Sequence, residues 1–350
     1  MIRGSLLLDG PRRIGKTELL KSLAAGNERK LSVVRVDVEG STTENEGFVL
    51  IRDAIRSHLG SVPGMMDRIR TASVTFGGAG MGLGVDSVSV SLDRELHDLL
   101  LEWQKSLPLA HLAVLALDEV PWWLEGSEKD APGTARRILA TLRRLRQADD
   151  LPRVRQVLTG SLSLRTLAAR LDALAEINDL DTITLAPLIL DDALRLVHSE
   201  LGGKGATADV SREIVRQAGG IPWWVKLLTG RARAFAHEVN DVGPTHVAQA
   251  IGGLLQDRTL FALEARGPRG QSVAQGSARQ ALLEATGQTL EGIARHAARA
   301  VAMNSLGGER AAADEVIDEL IAAYILNETE GGLRFANPLF AAWIRAWPQS

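Results

Sequence analysis

The sequence predicts an α/β fold built on a parallel sheet, and three observations predict it. Over the first 185 or so residues, short apolar runs alternate with stretches whose apolar positions recur three and four apart. The first apolar run, Leu6-Leu7-Leu8, leads through Gly10-Pro-Arg-Arg-Ile-Gly-Lys-Thr17 into Glu18-Leu-Leu-Lys-Ser-Leu-Ala, which reads as a helix. A later run, Leu112-Ala-Val-Leu-Ala-Leu117, ends abruptly in two acids, Asp118 and Glu119.

Taken in order, Gly4–Asp9 is the first strand, because a buried parallel strand reads as a continuous apolar run rather than an alternating one. Leu31–Val38 is the second strand, and residues 46–60 and 93–106 have helical spacing. Between those helices, Thr71–Leu92 alternates small polar and apolar residues around glycines and predicts a β-hairpin or flap, with a disordered excursion as the alternative. His111–Leu117 is a strand, and Ala131–Ala148 is a helix carrying Arg136, Arg137, Arg143, Arg144 and Arg146. Val154–Leu158 is a strand that runs into Thr159, Gly160 and Ser161, and Asp181–Leu185 closes the sheet.

After Pro187 the pattern turns helical: Ile189–Leu201, Asp209–Ala218, Pro222–Val239 and His246–Leu263. Glu264–Ser277, rich in Gly, Arg, Pro and Gln, reads as a linker. Helices at Ala278–Thr286, Leu290–Ala298 and Ala312–Ala323 precede a hairpin of Ile325–Glu328 and Leu333–Ala336 around Thr-Glu-Gly-Gly, the order of a winged helix. The expected division is 1–186 as core, 187–263 as a helical segment, 264–277 as linker and 278–350 as winged helix, with no internal repeat.

Composition narrows the chemistry. A chain of 350 residues is long enough for two or three domains with a sizeable core. With 40 Lys+Arg against 43 Asp+Glu, the net charge of -3 disfavours a surface that is basic throughout, though not a local basic patch. Zero cysteines exclude disulfides, thiolate metal sites and thiol nucleophiles, and fit a reducing cytoplasm. The seven histidines have no His-Glu-x-x-His spacing, so no zinc site is expected. Apolar runs are too short to span a membrane, and the N-terminus does not read as a signal peptide, so the expected location is cytoplasmic with no membrane partner. One Tyr and six Phe leave the core to Leu, Val, Ile and Ala.

Gly10-x4-Gly15-Lys16-Thr17 is a complete phosphate-loop pattern in its proper strand-to-helix setting. Its glycines let backbone N–H groups converge on phosphate, and the helix N-terminus adds partial positive charge. The predicted contacts to ATP are Gly10, Pro11, Arg12, Arg13, Ile14, Gly15, Lys16, Thr17 and Glu18, with Lys16 on the β- and γ-phosphates. Thr17 and Asp118 are the expected ligands of Mg2+, and Glu119 is placed to polarise the attacking water. Ser161 either orients that water and senses the γ-phosphate or caps the next helix. Asp37 and Glu39 point to the same sheet edge, and Arg165 is a candidate γ-phosphate contact; each is balanced by a plain surface reading.

The loop filling Pro-Arg-Arg-Ile, the strand end at Leu117, Asp118 and Glu119, the later Gly219-Gly220-Ile221-Pro222 and the tail Leu333–Trp343 together resemble the archaeal-type ATPases of the AAA+ class, relatives of the STAND signalling ATPases. The resemblance covers nearly the whole chain. It implies an additional-strand core with sheet order 5-1-4-3-2, a helical lid and a winged helix. It also implies that Gly219, Gly220 and Pro222 lie in the lid near the nucleotide. Leu333 stands where an aromatic is common in that group, while Phe335 is retained. Members often carry a lead-in before the first strand that helps enclose the adenine; here the loop begins at residue 10, and no base-contacting residue is named.

The expected function is Mg2+-dependent ATP binding and hydrolysis driving a conformational or assembly switch. Two alternatives stand beside it: an ATP-gated scaffold with little turnover, and a DNA-remodelling helper ATPase. For the winged helix, Arg295, His296 and Arg299 are a modest basic set, while Asp314, Glu315, Asp318 and Glu319 would repel DNA phosphate. A protein partner or self-association through core and winged helix is therefore favoured over DNA. The pairs Trp122–Trp123 and Trp223–Trp224 read either as rings packed together or facing a partner, or as one core and one surface ring each.

Overall fold

The computed structural model describes residues 4–26, 30–60, 85–161, 163–237, 239–267, 272–289 and 292–347. They fall into two compact units: residues 1–9 with 16–184, and residues 10–15 with 185–350.

The first unit runs β1 (Leu6–Asp9), α1 (Lys16–Ala25), β2 (Leu31–Asp37), α2 (Glu44–Gly60), α3 (Val85–Ser106), β3 (Leu112–Asp118), α4 (Val120–Asp130), α5 (Thr134–Gln147), β4 (Val154–Thr159), α6 (Leu164–Arg170) and β5 (Asp181–Thr184). The five strands form one parallel sheet in the order β2-β3-β4-β1-β5, which is the expected 5-1-4-3-2 read from the other edge. β3 is paired on both sides, and its residues Ala113–Asp118 are all buried, as a central parallel strand requires. The core holds Trp103, Trp123 and Phe48 among Leu, Ile and Val. Trp123 lies edge-on to Phe48, and its indole donates to the carbonyl of Thr43 at 2.8 Å. Gly47 lies under that ring, where a Cβ would come within 2.1 Å of it.

Two expectations in this unit need correction. The hairpin expected at Thr71–Leu92 lies partly outside the described residues, and its second half is helix, because α3 begins at Val85. The sequence supports both periods: Val88 and Val90 alternate, yet Val85, Val88, Leu92, Leu96 and Leu99 are also spaced three and four apart, and Leu92, Leu96 and Leu99 are buried in α3. Helix α4 was not expected, although Pro121 in its first turn is a standard start signal.

The arginines of α5 are largely neutralised inside the unit. Arg137 pairs with Glu44, Arg143 with Glu176, Arg144 with Asp93 and Arg146 with Asp179.

The second unit runs α7 (Leu190–Leu201), β6 (Gly205–Ala206), α8 (Ala208–Ala218), α9 (Pro222–Phe235), β7 (Asp241–Val242), α10 (Pro244–Leu255), α11 (Ala262–Arg266), α12 (Val273–Gly287), α13 (Arg295–Ser305), α14 (Arg310–Ala322), β8 (Leu326–Thr329), β9 (Gly332–Phe335) and α15 (Pro338–Ala346). Pro222, Pro244 and Pro338 each sit in a first helical turn, where a missing N–H costs nothing. α8 ends in two left-handed glycines, Gly219 and Gly220, with φ of 61° and 70°. A Cβ at Gly219 would lie 2.7 Å from the carbonyl oxygen of Ala336. The antiparallel β8–β9 ribbon is the expected wing, and Ile293 bridges to its Leu333.

The expected linker is a correction. Residues 264–266 belong to α11 and residues 273–277 to α12. Ser272 and Gln275 form a capping box, the Ser-x-x-Gln start signal that the Gly, Pro and Arg composition obscured. The helix expected at Leu290–Ala298 begins partly outside the described residues, and among those described it starts at Arg295, with Ile293 engaged in the β-bridge. An aromatic series, Trp224, Phe261, Phe340 and Trp343, runs through this core, with Trp224 and Phe261 stacked at 4.0 Å. Among the described residues, no helix is long and apolar enough to cross a membrane.

Candidate functional site

The strand register brings the predicted residues of the first unit to one level. Asp37 on β2 is the partner of Asp118 on β3, Leu117 pairs with Leu158 on β4, and Thr159 pairs with Leu8 on β1. The carboxyl ends of the central strands therefore form one edge, the usual ligand-binding edge of an open parallel sheet. Lys16 opens α1 and is buried, with Thr17 half-buried beside it and Glu18 exposed and paired with Lys21 at 2.7 Å.

Asp118 is 1% exposed. Its Oδ2 accepts from Arg35 at 2.9 Å, and the same guanidinium reaches Asp37 at 3.3 Å. Its Oδ1 is buried with no protein hydrogen bond among the described residues. A buried carboxylate oxygen without a donor is costly, and a metal-bound water or a metal would satisfy it, so the residues present fit a divalent cation.

Glu119 follows in a left-handed conformation, φ 60° and ψ 33°, which is uncommon for a residue with a side chain and is often held at functional sites. The Trp122 N–H closes this turn by donating to the Glu119 carbonyl at 3.1 Å. Its side chain is anchored: Oε2 accepts from the backbone N–H of Ser161 at 2.8 Å and from the Ser161 hydroxyl at 2.9 Å. Burial holds the Glu119 carboxyl above the ordinary range, the two Ser161 bonds pull it down, and the nearby charges of Asp118 and Glu39 push it up. Gly160 makes the approach feasible, since a Cβ there would lie 2.3 Å from Pro121. Ser161 does not cap the following helix; Ser163 does, accepting from the Thr166 N–H. Arg165 donates to the Thr182 hydroxyl at 3.2 Å.

Residues 10–15 belong to the second unit. Gly10, Arg13 and Gly15 have φ of 138°, 65° and 99°, so half of this short turn lies in the region that favours glycine. A Cβ at Gly10 would lie 2.7 Å from the carbonyl of Leu185. Pro11 and Ile14 are buried and Arg12 is half-buried. The Arg13 guanidinium lies 4.0 Å over the Trp223 ring and 4.5 Å over the Trp224 ring, and its Nε is 3.1 Å from Glu264. The Trp223 N–H donates to the Arg13 carbonyl at 3.4 Å, with Pro222 just before it opening α9. Burial lowers the Arg13 pKa, against the opposing pull of Glu264.

Each tryptophan pair splits, with Trp123 and Trp224 in the core and Trp122 and Trp223 at least partly exposed. The basic set of the winged helix is also engaged: Arg295 pairs with Asp318 and Glu328, and Arg299 with Asp314.

Sequence reasoning missed Arg35 and Gly160. Arg35 stands two residues before Asp37 on the same strand, so the period of two already placed both on one face. Gly160 carried no comparable signal, because the clash it avoids comes from Pro121, far away in sequence.

No protein-family model and no curated protein matches this chain. Among solved structures, the Walker-type ATPase PABY2304 of Pyrococcus abyssi is similar with a TM-score of 0.62 at 16% identity, over 97% of this chain and 90% of that one. The ORC2 protein of Aeropyrum pernix, solved in ADPNP–ADP complexes, is similar with a TM-score of 0.54 at 13% identity, over 99% of this chain and 88% of that one. At such identities the likeness is one of fold: an α/β core on a five-stranded parallel sheet followed by a helical second unit.

Proposed function

We propose that this chain binds ATP with Mg2+ and hydrolyses it slowly, and that the nucleotide state acts as a switch of conformation or assembly. The observation that carries the reading is a clamped Glu119 beside Asp118 at the end of β3, in a chain whose sequence also holds a complete Gly-x4-Gly-Lys-Thr motif. The likeness of fold to a Walker-type ATPase, and to a protein solved with ADPNP and ADP, is consistent with it.

In this reading the backbone N–H groups of Gly10–Gly15 and the N-terminus of α1 receive the phosphates, and Pro11, Arg12, Arg13, Ile14 and Glu18 shape the loop around them. Lys16 offsets charge on the transferring phosphoryl group. Thr17 and Asp118 hold Mg2+, which when bound neutralises charge on the phosphate oxygens. Glu119 orients and polarises water, Ser161 fixes Glu119, and Gly219, Gly220 and Pro222 belong to a lid. The chain then works as a core over 1–186, a lid over 187–263 and a winged helix over 278–350.

Self-association or a protein partner is the favoured output. The DNA-helper alternative gains nothing from the winged helix, where Arg295 and Arg299 are already paired with acids. Phosphate release by the wild-type chain and by Glu119→Gln, with solution mass measured with and without ATP, tests the reading. Binding retained and turnover lost in Glu119→Gln supports it; equal turnover removes Glu119 from its role, and no ATP binding by the wild type removes the reading.

A further inference from the structure

The hydroxyl of Ser161 stands between two partners. The indole Nε1 of Trp122 lies 2.8 Å from Ser161 Oγ, and Ser161 Oγ lies 2.9 Å from Glu119 Oε2. An indole N–H only donates, and a serine hydroxyl has one hydrogen with lone pairs to spare. The Trp122 bond therefore occupies a lone pair of Ser161 and turns the single hydroxyl hydrogen toward Glu119. Oε2 thus receives two donors, the Ser161 hydroxyl and the Ser161 N–H at 2.8 Å, and Oε1 has no protein donor among the described residues. The backbone repeats the tie, since the Trp122 N–H closes the left-handed turn on the Glu119 carbonyl.

We propose that Trp122 is a positioning residue for hydrolysis: through Ser161 it fixes the Glu119 carboxylate so that Oε2 is saturated and Oε1 is the oxygen presented to water. A hydroxyl free to rotate would donate to Glu119 only part of the time and would compete for the same water. The polar tip of a half-buried tryptophan thereby acts two bonds away from the reacting atoms, whereas Trp123 next to it is a core residue. The proposal rests on the ATPase reading above.

The test uses Trp122→Phe, Ser161→Ala and the double variant in the full chain. Phe keeps most of the ring and removes only the N–H donor. Three readouts are taken: single-turnover hydrolysis at saturating Mg-ATP, affinity for a fluorescent ATP analogue, and the indole N–H resonance of Trp122 in 15N-tryptophan-labelled protein. Each single variant is expected to slow hydrolysis about tenfold with affinity unchanged, and the double variant to be no slower than the slower single one, because both act through one chain of bonds. Ser161→Ala is expected to shift the Trp122 resonance. Rate losses that multiply, a Trp122→Phe variant as fast as the wild type or faster, or a Trp122 resonance indifferent to Ser161→Ala each overturn the proposal. A wild type without Glu119-dependent hydrolysis sinks the ATPase reading instead, and the resonance still decides whether the Trp122–Ser161 bond exists.

Discussion

Replacing Arg13 by Ala removes the side chain that joins the phosphate loop to the rest of the second unit. Its guanidinium covers two indole rings, at 4.0 and 4.5 Å, and faces Glu264 at 3.1 Å. The Glu264 side chain is only 12% exposed, and neither of its oxygens has a well-aligned hydrogen bond among the described residues. Loss of the ring contacts costs about 1 kcal/mol, and a largely buried carboxylate that loses its directly paired cation, keeping only the Coulombic pull of Arg279, costs about 3 kcal/mol more. The bonds to the Leu260 carbonyl, at 3.4 Å, are long and add little. The expected total, about 4 kcal/mol, corresponds to amide exchange roughly a thousandfold faster in α9 and α11, provided global opening does not intervene first. Hydrogen exchange by mass spectrometry on peptides covering Pro222–Phe235 and Ala262–Arg266 measures it. Arg13→Ala with Glu264→Gln removes the stranded charge, and should recover most of the loss. If the double variant exchanges as fast as Arg13→Ala alone, the stranded-charge argument is wrong; if Arg13→Ala exchanges like the wild type, so is the clamp.

Three further outcomes are expected. Glu119 has a folded pKa above its unfolded one, so its favourable contribution is complete below the unfolded pKa and is lost as pH rises through the folded value. Glu119→Gln should therefore raise the melting temperature at neutral pH, by a margin that shrinks as the pH falls toward the ordinary glutamate range; a constant margin across that window would refute the assignment. Gly160→Ala forces a Cβ to within 2.3 Å of Pro121 and should cost about 1–3 kcal/mol in urea unfolding while displacing Glu119 and slowing turnover. Ser272→Ala breaks the capping box of α12 and should cost about 1 kcal/mol in the same assay, where a neutral result would mean that α12 does not need its cap.

The parallel sheet was legible because buried parallel strands carry continuous apolar runs and because the Gly-x4-Gly-Lys-Thr turn has few other structural settings, whereas its strand order came only from the family resemblance. Asp118, Glu119 and Ser161 were singled out for a related reason: each lies at or just past a strand end, and strand ends in such a sheet share one edge. What stayed hidden depends on distant contacts. The indole N–H of Trp122 matters only because β4 brings Ser161 to it, across 39 positions of sequence. Arg13, in the loop, could be read as contacting nucleotide or another domain, and its guanidinium rests on tryptophans more than two hundred positions away. The helical start of α3 was masked because a Val-Ser alternation satisfies both periods at once. The neutralisation of the α5 arginines was not legible because their acids come from other elements.

Residues 10–15 belong with the second unit while Asp9 and Lys16, on either side, belong with the first. One break in the chain therefore does not separate the two units. A fragment starting at Leu185 would leave behind Arg13, the cation of Glu264 and the cover of Trp223 and Trp224. A fragment ending at Thr184 would carry that arginine with nothing to receive it. A chimaera that replaces the C-terminal half keeps this match only if residues that receive Arg13 are supplied with it.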